Sequence, residues 1–320
     1  MTDLLERVRA GGLLEPGRPV LVMLSGGRDS VCLLDLAVRI AGAPHVGALH
    51  CNYGLRAEAA GDEEHCAAQC ERLGVDLQVH RPRRPDGAGN LQAWARDQRY
   101  AAAAQVVLRR GGVAATGHTA TDQVETVLYR LAASPGRRAL LGMAPREGHV
   151  IRPLLGVSRA ETAAHCETRG LAWREDASNA GLEFARGRMR HELLPALREI
   201  HPAAEANVLR TLELLRDEAA VLDAAIDEAL AAAGDPPARD ALRALPAALR
   251  RLALQRLADR AAEPGPPAPA IGHRTGEVLA LQEGGALDVG GGLRAEIRGG
   301  ALHFGASRGP AAPHPRGAPS

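Results

Sequence analysis

A glycine turn set between a buried strand and a helix constrains this chain more than any other feature. The apolar run Val20–Leu24 predicts the strand, and the spacing of apolar residues over Val31–Ile40 predicts the helix. The turn between them reads Ser25-Gly-Gly-Arg-Asp-Ser30. Two adjacent glycines allow a close approach to an anion, and the amides and dipole of the following helix add positive charge there. The turn therefore predicts a phosphate cradle for a nucleotide. The alternative is a structural turn capped by Asp29 or Ser30.

The basic residues indicate which nucleotide chemistry the turn serves. A Walker-type loop needs a lysine that reaches the terminal phosphates, whereas all 39 basic residues of this chain are arginine. A kinase-like or GTPase-like protein is therefore disfavoured. The pattern Ser-Gly-Gly-x-Asp-Ser instead resembles the PP-loop of ATP pyrophosphatases. The resemblance implies an enzyme that grips the β and γ phosphates of ATP and cleaves between α and β, which leaves AMP on an oxygen of the substrate.

Length and charge narrow the class of protein further. With 320 residues the chain is long enough for about two domains. The 39 arginines are balanced by 38 acidic residues, so any site for a polyanion must be local. No apolar run is long enough to span a membrane, and the charged N-terminal segment is not typical of a signal peptide. We therefore expect a cytoplasmic protein with no membrane partner.

The five cysteines do not indicate a metal site or a disulfide framework. Their number is odd, which argues against a disulfide-stapled protein. No Cys-x-x-Cys pair occurs, which argues against a zinc ribbon or a cysteine-bound cluster. Only seven residues are aromatic, so guanidinium groups are the expected substitutes wherever a base must be stacked.

Short apolar runs alternate with helical stretches through the first part of the chain. The predicted strands are Val20–Leu24, Val46–His50, Leu77–His80 and Val113–Thr116. The predicted helices are Val31–Ile40, Glu58–Leu73, Leu91–Arg110 and Asp122–Leu131. This alternation predicts an α/β fold with a doubly wound parallel sheet, whose ligand binds at the carboxyl ends of the strands. We assign residues 1–200 to this nucleotide-binding domain.

The remaining sequence has a different pattern. Glu205–Ala233 and Asp240–Ala262 predict two long helices, and a stiff proline-rich linker follows at 263–269. Three short strands separated by glycine turns then predict a small β meander, namely Ala286–Val289, Leu293–Ile297 and Ala301–Phe304. We expect residues 201–305 to form this second region, and residues 306–320, which lack periodicity, to be a disordered tail.

A second cluster of candidate functional side chains follows the fourth predicted strand. Spacings of four, three and four residues place His118, Asp122, Glu125 and Tyr129 on one helical face, which we expect to point at the phosphate loop. Two acids beside a triphosphate can hold either Mg²⁺ or the ammonium group of an amine substrate, and spacing does not decide between them. The alternative is a helix cap that includes Asp122, with Tyr129 in the core.

Seven segments, in order along the chain, extend the resemblance beyond the loop. They are Ser25–Ser30, His50–Arg56, Asn90–Tyr100, Thr116–Thr126, Arg152–Leu155, Trp173–Asn179 and Phe184–Pro195. With these segments the chain resembles the tRNA(Ile)-lysidine synthetase family of PP-loop enzymes. The resemblance is close from Val20 to about Pro202 and looser in the helical region.

The resemblance implies a two-step ligase reaction on the wobble cytidine of a tRNA(Ile) with a CAU anticodon. ATP first adenylates the carbonyl oxygen of the cytosine and releases pyrophosphate. The ε-amine of free L-lysine then attacks the same carbon, and AMP leaves. The product base, lysidine, pairs with A instead of G, so the tRNA decodes AUA rather than AUG. ATP and Mg²⁺ are the implied cofactors, and the oligomeric state stays open, with a homodimer allowed.

Positions in the family motifs imply the residue roles. The ATP site would comprise Ser25, Gly26, Gly27, Arg28, Asp29, Ser30 and His50, and Asp29 would also bind the metal. The catalytic residues would be Asp29, Arg96, His118 and Asp122, and lysine would be bound by His118, Asp122 and Glu125. The tRNA backbone would be contacted by Arg99, Arg186, Arg188 and Arg190, and residues 201–305 would shape tRNA recognition. For 186–190 the alternative is a solvated charged face.

Three other functions are compatible with a glycine turn of this kind. A related PP-loop enzyme that thiolates tRNA cytidine would need cysteines of the Cys-x-x-Cys kind, which are missing. A NAD or GMP synthetase shares the loop, but its other motifs are not present. A silent ATP-binding or tRNA-binding module is suggested by Thr119 and Thr121, where many relatives carry His and Asp. The presence of Asp29, His118, Asp122 and Glu125 argues against such a module.

Overall fold

The computed structural model describes residues 3–55, 58–85, 89–133, 137–174, 185–263, 265 and 268–307, and most of its strands form one sheet. In chain order the strands of this sheet are β1 Val20–Met23, β2 Val46–Cys51, β3 Asp76–His80, β4 Val113–Ala115, β5 Arg146–Glu147 and β6 Val150–Ile151. Their spatial order is β3-β2-β1-β4-β6-β5. All neighbours are parallel except β5, which pairs with β6 in the antiparallel sense at one edge.

Helices surround this sheet. They are α1 Leu4–Ala10, α2 Arg28–Ala41, α3 Ala59–Leu73, α4 Leu91–Arg110, α5 Ala120–Ala133, α6 Arg137–Leu140, α7 Arg159–Thr168, α8 Ala185–Arg188 and α9 Leu194–Ile200. All four residues of β1 are buried, as expected for a central parallel strand with both faces covered. The chain leaves β1 toward β2 on one side and reaches β4 on the other. The switch point of the doubly wound sheet therefore lies where β1 ends and the glycine turn begins.

The chain divides into two compact units, with the boundary between Leu212 and Glu213. The boundary falls inside the long helix α10 Ala204–Ala233. The second unit continues with α11 Arg239–Ala244, α12 Ala247–Ala262, α13 Thr275–Ala280, β7 Ala286–Gly290, β8 Leu293–Arg298 and β9 Ala301–Ala306. The last three strands form an antiparallel sheet in the order β7-β8-β9. The predicted fold class, a doubly wound sheet followed by helices and a meander, is confirmed. The finer domain limits at residues 200 and 305 stay predictions.

Two details of the second unit differ from the predictions. The single helix predicted over Asp240–Ala262 is wrong, because the chain breaks between α11 and α12 at Leu245 and Pro246. Proline lacks an amide hydrogen, and its ring crowds the preceding turn, so it starts a new helix rather than continuing the old one. The last strand also includes the first residue of the predicted tail. Ala306 still belongs to β9, and the Ser307 hydroxyl donates to Asp288 at 2.7 Å. Residues 308–320 lie outside the described residues.

Helix α7 is tied to α2 by a buried carboxylate. The side chain of Asp35 is 1% exposed and accepts hydrogen bonds from His165 Nε2 at 2.8 Å and Arg169 Nη2 at 3.3 Å. Burial alone would raise the pKa of Asp35, but the hydrogen bonds from His165 and Arg169 outweigh it, so the pKa is lowered. Because α2 begins at the glycine turn, this pair fixes α7 beside the turn.

We expect Asp35→Asn to lower the free energy of unfolding by about 1.5–3 kcal/mol near neutral pH, the range for a hydrogen bond to a charged group. A lowered folded-state pKa stabilises the protein fully above the unfolded value, about 4, and the contribution is lost as pH falls below it. The difference between the two proteins should therefore shrink in acid. Urea unfolding from about pH 3 to pH 7 measures it, with Asp76→Asn, an 84% exposed carboxylate, as the control. A difference that is constant with pH would contradict the assignment.

Candidate active site

The glycine turn is closed by hydrogen bonds between its own residues. Ser30 Oγ accepts from the Ser25 amide at 3.2 Å and donates to the Gly27 carbonyl at 2.8 Å. Gly26 has a φ of +83°, and a Cβ there would lie 3.2 Å from Cys66 Sγ, so only glycine suits this position. Gly27 is the N-cap of α2, and no side chain caps the helix. The alternative of a turn capped by Asp29 or Ser30 is therefore wrong, because neither residue is the N-cap of α2.

Asp29, in the first turn of α2, is held by three neighbours. Thr162 donates its hydroxyl to Asp29 Oδ1 at 2.6 Å, and Arg28 Nε donates to the same oxygen at 3.1 Å. The other oxygen, Oδ2, lies 3.9 Å from Arg159 Nε. Since Thr162 and Arg159 both belong to α7, the α2–α7 contact orients this carboxylate. The side chain of Asp29 remains 18% exposed.

The end of β4 packs directly against the turn. A Cβ on Gly117 would lie 3.0 Å from the backbone carbon of Asp29, so the glycine permits this close approach. Next to it, His118 Nδ1 is 2.8 Å from Thr116 Oγ1. His50, at the end of β2, lies beneath the turn instead. Its imidazole is buried, with Nδ1 3.0 Å from the carbonyl oxygen of Leu24. His50 thus contacts the residue that follows β1 through a hydrogen bond between its imidazole and the backbone carbonyl of Leu24.

Helix α5 brings two acids to the same edge of the sheet. Asp122 Oδ2 accepts from the amide and the hydroxyl of Thr119, both at 2.8 Å, which fixes the carboxylate at the start of the helix. Its other oxygen, Oδ1, lies 3.4 Å from Arg190 Nη2 and 3.7 Å from Arg159 Nη2. Glu125, one turn further, is fully buried. The predicted helix cap at Asp122 is present together with these ion pairs, so the structural and functional interpretations do not exclude each other.

The guanidinium group of Arg190 binds the two acids of α5, Asp122 and Glu125. Its Nε and Nη2 donate to the two oxygens of Glu125 at 2.7 and 3.1 Å, and its side chain is 18% exposed. Burial would lower the pKa of Arg190, but the hydrogen bond and charge of Glu125, with the charges of Asp122 and Asp29, outweigh it and the pKa is raised. The guanidinium is thus engaged by carboxylates, whereas the sequence prediction placed it on the tRNA backbone.

Sequence reasoning missed Arg159 and Thr162. Arg159 is the first residue of α7, and its guanidinium lies between Asp29 and Asp122 at distances too long for hydrogen bonds. Its Nε is buried and has no hydrogen-bond partner among the described residues. The one signal in the sequence was the capping box of Ser158 and Glu161, which marks the start of α7. Nothing in the sequence showed that this helix start faces the glycine turn.

The other predicted site residues are not part of the group formed by Asp29, Asp122, Glu125 and their arginine partners. Tyr129 is 47% exposed, so it neither extends the polar face nor belongs to the core. Arg96 is exposed and stacks on Tyr100 at 4.6 Å, without a contact to the acids in the described part of the chain. Arg99 and Arg188 are exposed. The side chain of Arg186 lies outside the described residues. Among the residues described, no group of three or more metal-ligating side chains forms a closed metal site.

A doubly wound sheet with a lysine-free Ser-Gly-Gly-x-Asp-Ser turn at its switch point defines a PP-loop protein. In agreement, the family model described as a PP-loop domain matches residues 4–197. The tRNA(Ile)-lysidine synthase of Gloeobacter violaceus is 39% identical over 262 residues, which are 77% of this chain and 78% of that protein. The chain belongs to the tRNA(Ile)-lysidine synthase family of PP-loop proteins.

Two further comparisons mark the extent of the likeness. The tRNA(Ile)-lysidine synthase of Pseudomonas fluorescens is 40% identical over 209 residues, and the match covers 63% of this chain but only 47% of that protein. The U34-tRNA thiolase NcsA of Methanococcus maripaludis, solved with its [4Fe-4S] cluster, is 19% identical with a TM-score of 0.55. That match covers 66% of this chain and 78% of the thiolase, and it shows a shared fold. No helix in the described part of the chain has the length and apolar character needed to cross a bilayer.

Proposed function

We propose that the protein ligates L-lysine to the wobble cytidine of a CAU-anticodon tRNA(Ile), with ATP as the source of the activating AMP. The observation that carries the proposal is the position of Asp29. This acid stands at the N-terminus of α2, beside the glycine turn, and shares Arg159 with Asp122 on the facing helix. A triphosphate site and an acidic amine site thus meet at one edge of the sheet. Membership of the tRNA(Ile)-lysidine synthase family supports the same reaction.

In the first step the glycine turn binds the phosphates of ATP. The amides at the start of α2 and the helix dipole stabilise the negative charge of the pyrophosphate as it leaves. The carbonyl oxygen of the cytosine attacks the α phosphorus, and the bond to the pyrophosphate breaks. Arg28 and Arg159 supply the positive charge that a lysine supplies in Walker-type loops, since this chain has no lysine.

Mg²⁺ fits the chemistry of the site. Mg²⁺ in nucleotide sites is bound by one or two carboxylates together with phosphates and water. Asp29 Oδ2 and Asp122 Oδ1 each face Arg159 beyond hydrogen-bond distance, so these oxygens are placed to exchange a guanidinium contact for a cation. Asp29 would hold the ion, with Asp122 beside it. The ion would supply charge neutralisation at the phosphates.

In the second step the neutral ε-amine of lysine attacks the activated carbon of the base, and AMP leaves. Asp122 is the acid we assign to the amine, because its Oδ1 lies near the cationic groups of Arg190 and Arg159 while only its Oδ2 is bound by Thr119. Glu125 accepts hydrogen bonds from Nε and Nη2 of Arg190, so its role is to position that guanidinium. His118 directly follows Gly117, which packs on the backbone of Asp29, and it is the candidate for moving a proton.

The tRNA would bind at the edge of the sheet where Asp29, Asp122 and Glu125 lie, and its backbone would contact arginines outside this group of acids. Arg99 and Arg188 are exposed and suit contacts with backbone phosphates, and we extend this role to Arg186 and to Arg96. Arg190 is better explained as a partner of Glu125. A tRNA substrate places the protein in the cytoplasm, and the second unit would bind a further part of the tRNA.

Lysine transfer to RNA tests the proposal. Purified protein is incubated with Mg-ATP, radiolabelled lysine and a transcript of either tRNA(Ile) or tRNA(Met), both with CAU anticodons. We expect label in the tRNA(Ile) transcript alone, with one AMP released per lysine added. Binding of ATP with neither label in RNA nor AMP release would contradict the proposal and favour the silent module.

A further inference from the structure

An arginine-lined pocket lies wholly within the second unit. It has a volume of about 380 Å³ and opens between α11, α12 and α13. Arg243, Arg250 and Arg251 line it, and its other lining residues are small or apolar apart from Thr275. No acidic residue is among the described residues that line it. The volume falls within the range of ligand sites in proteins, about 300–1,000 Å³.

Arg250 and Arg251, on α12, lack the acidic partners found further along that helix, whereas Arg243 Nη1 lies 3.9 Å from Asp240 Oδ1. Arg250 Nη1 donates to the backbone oxygen of Arg243, and neither Arg250 nor Arg251 forms an ion pair with a described carboxylate. Further along α12, Arg256 is bound by Asp223 and Asp227, and Arg260 by Asp227. The same helix therefore carries two arginines that are neutralised by aspartates and two that pair with no carboxylate in the described part of the chain.

Small residues shape the pocket around these charges. The aliphatic stem of Arg251 packs on Gly272, where an added Cβ would lie 2.7 Å from Arg251 Cδ. Thr275 closes the turn after it by donating to the Gly272 carbonyl at 2.8 Å. Glycine at 272 thus lets the arginine lie along the wall, and any side chain at this position would displace it.

The charge of the pocket is a local feature, because the chain as a whole has a formal charge of only +1. Arginine forks bind phosphate oxygens in a bidentate manner, which suits a site with several guanidinium groups. The described lining has no aromatic ring on which a base could stack and no acid that could accept from a base edge. The ligand chemistry that fits is therefore the phosphodiester backbone of a nucleic acid.

We propose that this pocket binds backbone phosphates of the RNA substrate without reading its sequence. The proposal rests on the proposed function, since it takes tRNA as the substrate, and it assigns a phosphate-binding site to the second unit. Each phosphate contact releases counterions, so the affinity for RNA must fall more steeply with salt when the arginines are present.

Salt-dependent binding of a tRNA(Ile) transcript tests the proposal in the full-length protein. For Arg250→Ala/Arg251→Ala we expect the slope of log affinity against log salt to become shallower by about 2, roughly one for each arginine. Arg250→Lys/Arg251→Lys keeps both charges and should keep most of the slope. The control is Arg256→Ala/Arg260→Ala, which removes the same charge from the same helix but from arginines already bound to aspartates. Thermal melting shows that each variant folds.

The outcomes separate this proposal from the proposed function. If the alanine variant of the pocket keeps the slope of its control, the pocket is not an RNA site, whether or not the protein adds lysine. The same conclusion follows if inorganic phosphate binds the pocket while the tRNA slope is unchanged. If the slope falls as expected but no tRNA receives lysine, the pocket binds RNA and the proposed reaction is wrong.

Discussion

Replacing Asp29 with asparagine should lower the rate of pyrophosphate release by about 10²- to 10³-fold, the usual cost of removing one electrostatic stabiliser from an active site. Asparagine keeps an oxygen that can accept from Thr162, which donates at 2.6 Å in the native protein. The substitution therefore removes the charge and the proposed ligand for Mg²⁺ while preserving the shape of the turn. Single-turnover pyrophosphate release with tRNA(Ile) and no lysine measures the first step alone.

The control for this variant is the same substitution at an exposed carboxylate. Asp76 is 84% exposed and lies at the start of β3, so Asp76→Asn should release pyrophosphate at the native rate. A native rate in Asp29→Asn would show that the charge of Asp29 plays no part in adenylation, and the metal assignment would fail with it.

Replacing Glu125 with glutamine should slow the addition of lysine strongly and the adenylation step much less. Glu125 is fully buried and bound at two points by Arg190, whose Nη2 already lies 3.4 Å from Asp122 Oδ1. Without the Glu125 charge, Arg190 is expected to pair with Asp122 and neutralise the acid assigned to the amine. We expect lysine incorporation to fall about 10²- to 10³-fold, as for loss of another active-site charge. Pyrophosphate release should fall less.

A double variant tests whether Arg190 causes this effect. Breaking a buried ion pair by removing one partner costs about 3–5 kcal/mol, whereas removing both partners is often close to neutral. Glu125→Gln/Arg190→Gln should therefore recover most of the lost stability in a thermal melt and, because no guanidinium at position 190 can then pair with Asp122, much of the lysine addition as well. Equal losses of pyrophosphate release and lysine addition in Glu125→Gln would contradict the division of labour between the two acids.

Much of the fold follows from periodicity alone. The strands around the switch point are short apolar runs with helices between them, and β1, β2 and α4 begin or end within a residue of their predicted limits. The glycine turn is predictable because it depends on the conformational freedom of its own residues. Gly26 has a φ of +83°, and glycine is the residue that adopts such a conformation readily. The acids of α5 were predicted because helical spacing is enough to place them on one face.

Contacts made across the chain could not be predicted in this way. The sequence predicts that Arg190 contacts the tRNA backbone or lies on a solvated face. In the structure its guanidinium instead binds Glu125, which lies 65 positions earlier in the chain. Arg159 lies between Asp29 and Asp122 because α7 packs against α2, through contacts that include the buried Asp35–His165 pair. Both depend on how distant helices pack, which neither helical spacing nor composition specifies.

The measurement that tests the central claim most directly is the transfer of the α phosphate of ATP to RNA. With [α-³²P]ATP, Mg²⁺ and no lysine, we expect label to become attached to the tRNA(Ile) transcript and not to the tRNA(Met) transcript. Addition of unlabelled lysine should then release that label as AMP, and Asp29→Asn should prevent its attachment. If the native protein hydrolyses or binds ATP without labelling RNA, the site does not adenylate a cytidine and the account is wrong.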